Sequence, residues 1–103
     1  MPAFTIRVEL HNASYSDYET LHAAMARRGF SRQITSDDGV TYQLPTAEYE
    51  RSGNLTTQQV LDAAKAAAAE TGKTFAVLVT EATRRMWIGL AQGQSRATVP
   101  SFR

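Results

Sequence analysis

Polar and apolar residues alternate with period two over residues 4–10, where Phe4, Ile6, Val8 and Leu10 are interleaved with Thr5, Arg7 and Glu9. That period predicts a half-buried strand. The spacing then changes. Tyr18, Leu21, His22 and Met25 recur at i, i+3, i+4 and i+7, which places them on one face of a helix spanning about residues 15–28. Ser16 and Glu19 have the spacing of a capping box at its start. Arg27 and Arg28 fall in the last turn, where cations suit the helix dipole, and Gly29 follows as the residue that enters the left-handed region at least cost.

Alternation resumes through Phe30, Arg32 and Ile34 and again through Val40, Tyr42 and Leu44, with Asp37-Asp38-Gly39 between them as a hairpin turn. Pro45 interrupts the pattern, because proline cannot donate to a ladder. Two arrangements follow. Either residues 40–44 pair directly with 30–35, or they form a protruding arm and residues 46–52 are the third strand. Thr56 or Thr57 caps a second helix whose apolar face is Val60, Leu61, Ala64, Ala67, Ala68 and Thr71, ending at Gly72. Its alanines allow close approach to a sheet. Residues 74–80 form the last strand. Phe75, Val77 and Val79 face one way, and Ala76, Leu78 and Thr80 the other. A strand apolar on both sides needs cover on both. The helices supply one cover. Met86, Trp87, Ile88 and Leu90, or a second copy of the chain, would supply the other.

The expected order is strand, helix, strand, strand, helix, strand. This is an α+β, ferredoxin-like β-α-β-β-α-β arrangement with two helices on one face of a four-stranded antiparallel sheet. Residues 1–82 make up that domain. Residues 83–103 are a C-terminal extension, read as an interface strand or a loose tail, with residues 92–103 expected to be loose or to order only on a partner. The chain has 103 residues, enough for one domain and too few for two. A domain of this size hides only part of its surface, so a homodimer is expected.

Composition narrows the chemistry. The chain has no cysteine, which excludes a disulfide framework and thiolate metal sites. There is no basic-then-apolar leader at the start and no apolar run near the ~18 residues that span a bilayer, so a cytoplasmic protein without membrane contact is expected. A net charge of +1 gives no bulk signal for nucleic acid, so local clusters must carry any such reading. No phosphate-binding glycine loop, metalloprotease helix or paired metal-ligand spacing occurs, and neither a metal nor a cofactor is expected.

The remaining candidates are few. His11, where the first strand meets a loop, is a candidate acid or base; His22 reads as a packing residue on the helix. Asp37 and Asp38 could hold a magnesium ion, although the hairpin turn accounts for them fully. Arg27, Arg28 and Arg32 flank the Gly29 corner, and Arg84 and Arg85 follow the last strand. Arginines bind phosphate bidentately and stack on bases, and Tyr15, Tyr42 and Tyr49 are candidate stacking platforms. Leu78, Met86, Trp87 and Ile88 are the candidate interface.

The first strand, Ser14-Tyr15-Ser16, the helix reaching Met25, Gly29-Phe30-Ser31, Gly39, Leu44-Pro45 and the helix start at Thr56–Leu61 together resemble the GhoS-like family. These are the small antitoxins of type V toxin–antitoxin systems. The resemblance covers roughly residues 4–80. It implies a ferredoxin-like fold and an endoribonuclease that cuts its toxin's messenger RNA. It also implies a shape like the small CRISPR-associated nucleases that dimerise through their sheets. Those nucleases hold a metal with an acid near the end of the first strand, whereas here that end reads Leu10-His11-Asn12. Metal-dependent cleavage is therefore not expected, and a metal-free cut would need a base and a cation, for which His11 with Arg28 or Arg27 is the candidate set. Single-stranded RNA is the expected partner. The alternative is a non-catalytic homodimeric protein-interaction module, such as an accessory or inhibitor protein of a phage or mobile element.

Overall fold

The structure is a computed structural model, and it describes residues 1–93. The elements run β1 (Ala3–Leu10), α1 (Tyr15–Arg27), β2 (Gln33–Thr35), β3 (Thr41–Gln43), β4 (Glu48–Ser52), α2 (Thr57–Ala69) and β5 (Phe75–Ala82). β1 lies in the centre of an antiparallel sheet of order β4-β1-β5, and β2 and β3 form a separate antiparallel ribbon. Register follows from the pleat. Ile6 sits opposite Tyr49 on one side and Val79 on the other, with all three on the helix-facing side; Arg7 sits opposite Glu48 and Leu78 on the outer side.

The core lies between the sheet and the two helices. Phe4, Ile6, Val8 and Leu10 of β1 pack with Leu21, Ala24 and Met25 of α1, Val60, Ala64, Ala67 and Ala68 of α2, and Tyr49 of β4. The alanines let α2 lie close over β1 and β5, where a larger side chain would hold the layers apart.

The antiparallel α+β layout and both helices are as expected, but the sheet is not a single four-stranded one. The segment that would form the fourth strand contributes only Ser31, which exchanges two backbone hydrogen bonds with Glu50 (2.8 and 2.7 Å). The chain then bends, because the Ser31 hydroxyl accepts from the Gln33 amide at 3.0 Å in place of a partner in the main sheet. Both readings of residues 40–52 hold in part. Residues 41–43 pair with 33–35, and residues 48–52 join the main sheet. The break between them is the turn Pro45–Glu48, closed by the Glu48 amide on the Pro45 carbonyl at 3.0 Å. Ala47 there adopts φ +65°, the sign a type II turn demands at its third position.

The α1 start also differs from expectation. Its capping box uses Ser14 and Asp17 and not Ser16 and Glu19. The shorter Asp17 side chain reaches back to the Ser14 amide at 2.8 Å, which holds its carboxyl below the ordinary value, with Lys73 adding a second favourable charge. Thr56 and Gln59 form the matching box on α2. At Gly29 the backbone takes φ +86°, which favours glycine, and an added Cβ would stand 3.2 Å from the Arg51 guanidinium, which would have to shift slightly.

The expected second cover is only partial. Arg85 reaches back onto β1, donating to the Phe4 carbonyl (3.4 Å) and the Thr5 hydroxyl (3.2 Å) and pairing with Glu50 at 3.6 Å. Beyond it, among the described residues, the outer sheet face is left uncovered, with Arg7, Glu9, Ala76, Leu78 and Thr80 exposed. Met86 and Ile88 point away from the sheet, 88% and 96% exposed, so they do not cover it. Residues 91–93 are not loose. Gln43 donates to the Ala91 carbonyl and Gly93 to the Thr41 carbonyl, which lays this stretch along β3. The expectation for the remainder of the tail lies outside the described residues. No described helix is long and apolar enough to cross a membrane.

Candidate functional site

The C-terminal segment after β5 and the β2–β3 ribbon form the two walls of an open groove of about 570 Å³. The ribbon contributes Ile34, Thr35, Asp37, Asp38 and Tyr42, and the segment contributes Arg84, Arg85, Met86 and Trp87. Each wall follows from local sequence. The Asp37-Asp38-Gly39 turn, closed by the Gly39 amide on the Ser36 carbonyl, leaves both carboxylates exposed at the groove. Trp87 is held across the groove by Tyr42, with ring centroids 5.5 Å apart and planes at 67°. This edge-to-face contact leaves aromatic surface available for stacking.

The charges in the groove are arranged unequally. Arg85 is committed to Glu50 and the β1 backbone, whereas Arg84 is exposed and forms no ion pair among the described residues. On the opposite wall the Ser36 hydroxyl hydrogen-bonds the Asp38 carboxylate and lowers its pKa. Asp37 is exposed. Among the described residues the groove thus carries one free cation, an aromatic wall and a fixed anionic rim. Among those residues, too, no group of three His, Cys, Asp or Glu side chains stands close enough to hold a metal.

The other candidates lie apart from the groove. Arg27 and Arg28 both grip Glu70, at 2.5 and 2.6 Å, and Arg28 also donates to the Ala24 carbonyl at 3.3 Å. The Arg28 hydrogen bond is the main reason that the Glu70 carboxyl titrates low. The two arginines therefore tie α1 to the end of α2. His11 hydrogen-bonds the Thr74 hydroxyl through Nδ1 at 3.0 Å, and its Nε2 stands 3.8 Å from Glu9. His11 precedes α1 and Arg28 follows it. Thirteen helical residues separate them, about 20 Å of axis, and they share no hydrogen-bonding partner. The structure does not assemble them into one pair.

His22 has a partner that the sequence did not reveal. Its Nδ1 shares a 2.6 Å hydrogen bond with the hydroxyl of Tyr49, which is fully buried in β4. Burial and the nearby Arg32 charge lower the His22 pKa, and burial raises that of Tyr49, so both are neutral near pH 7. Tyr49 is consequently core and not a stacking platform, Tyr15 is exposed on α1, and Arg32 serves this pair electrostatically. The groove itself was legible only as separate pieces. Asp37 and Asp38, Tyr42, the Arg84-Arg85 pair and Trp87 all stand out in the sequence, but nothing in it places them on facing walls.

Neither protein-family models nor curated proteins give a match to this chain. Its functional reading rests on the geometry of these residues.

Proposed function

We propose that this protein binds single-stranded RNA in the groove between the β2–β3 ribbon and the C-terminal segment, as a small RNA-acting protein of the antitoxin kind. The observation that carries the reading is the convergence of Arg84 with the Tyr42–Trp87 pair. A free guanidinium meets a phosphate, an indole stacks on a base, and together they are the usual means of holding an unpaired strand. The anionic rim fits the same ligand if the base points toward it. A carboxylate at Asp37 accepts from the amino groups on a base edge while repelling phosphate toward Arg84. The resemblance to the GhoS-like family supports RNA as the ligand class.

The test is fluorescence polarisation with labelled single-stranded RNA over a salt series. Arg84→Ala should weaken binding about tenfold and flatten the salt slope by about one unit. Trp87→Ala should cost ~1–3 kcal/mol at every salt concentration. Binding that is absent at low salt, or unchanged in both variants, would sink the proposal. The same samples, incubated with EDTA and then with magnesium, test the cleavage that the resemblance implies. Product that survives EDTA and disappears in His11→Ala assigns the base to His11. A second reading, a protein-interaction module, is favoured by the exposure of Met86 in the groove wall and of Ile88 two residues on.

A further inference from the structure

β5 is an edge strand, with β1 on one side and no backbone partner among the described residues on the other. Its residues 75–80 read Phe-Ala-Val-Leu-Val-Thr, with no charge, proline or glycine. Natural edges are usually blunted by lysine, proline or a bulge, and this one has none of them over those six residues. Leu78 stands at mid-strand, 63% exposed on the outer face, while Val77 and Val79 are only half-buried on the inner face.

We infer that β5 pairs with β5 of a second copy of this chain, antiparallel about a two-fold axis at Leu78. A two-fold axis normal to the sheet matches a strand with itself, so an edge of this kind meets a partner of identical length and pattern. Faces are preserved only if even-numbered residues meet even-numbered ones. With the axis at Leu78, that residue faces its own copy, Val77 faces Val79 of the second copy, and Ala76 faces Thr80. The uncharged stretch then overlaps itself almost completely, and Glu81, the strand's single charge, lies at the end of the overlap. A second copy is favoured over a strand from another protein because the complementarity needs nothing beyond this chain. Gly93, the last described residue, lies beside β3, with β4 and β1 between it and this edge. The two sheets would merge into one of order β4-β1-β5-β5-β1-β4.

Sedimentation equilibrium of the intact chain tests the inference, with a subunit mass of 11.3 kDa. The expected result is a reversible dimer whose dissociation constant rises at least about tenfold in Leu78→Lys, since like charges directly opposite repel. Circular dichroism of that variant should be unchanged. Because the chain has no cysteine, Leu78→Cys provides an independent reading. Two thiols facing across an antiparallel pair lie within disulfide reach and should cross-link under mild oxidation. A wild-type chain that stays monomeric up to its solubility limit would overturn the inference. So would a dimer that persists in Leu78→Lys and fails to cross-link in Leu78→Cys. None of these measurements involves RNA, so they stand or fall separately from the binding groove.

Discussion

The hydrogen bond between His22 and Tyr49 makes one residue pair a reporter for the whole core. Tyr49 is fully buried, and its hydroxyl is matched by the imidazole, so a polar group is carried in the core without an orphaned donor. The His22 pKa is lowered in the fold, mainly by burial and secondly by Arg32, with Glu19 opposing. The sign of the pH effect follows. The unfolded chain takes up a proton at the ordinary imidazole value of 6.5, while the folded chain resists it, so stability is full above that value and falls as pH drops below it. Loss stops once pH has passed the lowered folded value. Denaturant titrations between about pH 7.5 and about pH 5, spanning the imidazole range, should show this decline in the wild type, and His22→Gln should flatten it. Asp17, Asp38 and Glu70 also titrate low, and their contributions are lost only at more acid pH, below the ordinary carboxylate values. The two windows are therefore separable. None of this could be read from the sequence, where His22 is one of several residues on an apolar face and Tyr49 sits in a segment with two alternative pairings.

At the level of elements, the strands and helices were legible where a single period runs unbroken. β1, β5 and both helices follow from their spacing, because each buries one continuous face. The β2–β4 region was not, because two local features decide it. The Ser31 hydroxyl takes the Gln33 amide away from the main sheet, and the turn at Pro45 and Ala47 lets residues 41–43 and 48–52 pair with different strands, where the sequence offered one pairing or the other. Capping was legible in type and not in position. Ser14 precedes α1 and Ser16 lies in its first turn, and only the spacing from Ser14 to the shorter Asp17 closes the reciprocal pair. Both helices start from such boxes, so their caps can be compared directly. Ser14→Ala and Thr56→Ala should each cost ~1 kcal/mol in urea denaturation, and Ser16→Ala should cost only a few tenths. An equal loss in Ser16→Ala would move the helix start two residues later in the chain.

Over the whole molecule, the C-terminal segment binds the ribbon to the sheet. Arg85 contacts the β1 backbone and Glu50, Trp87 meets Tyr42, and residues 91–93 lie along β3. Glu50 also accepts a 2.5 Å hydrogen bond from the Ser52 hydroxyl, and its side chain is only 18% exposed, so it depends on Arg85 for charge balance. Arg85→Ala should lower global stability by ~1–2 kcal/mol. It should also shift Trp87 emission to the red at denaturant concentrations below the main transition, as the segment leaves the ribbon while the core holds. A single coincident transition would show that core and segment unfold together. The groove exists only through these contacts, which is why its residues are visible in the sequence while their juxtaposition is not. The central place of β1 has a consequence for synthesis. Its two neighbours in the sheet are β4 and β5, and β5 ends at Ala82. β1 therefore leaves the ribosome before either neighbour and must wait, apolar side chains unprotected, until β5 has been made. During that interval Phe4, Ile6, Val8 and Leu10 are available to nascent-chain chaperones, so the yield of folded protein should depend on how quickly translation reaches the last strand.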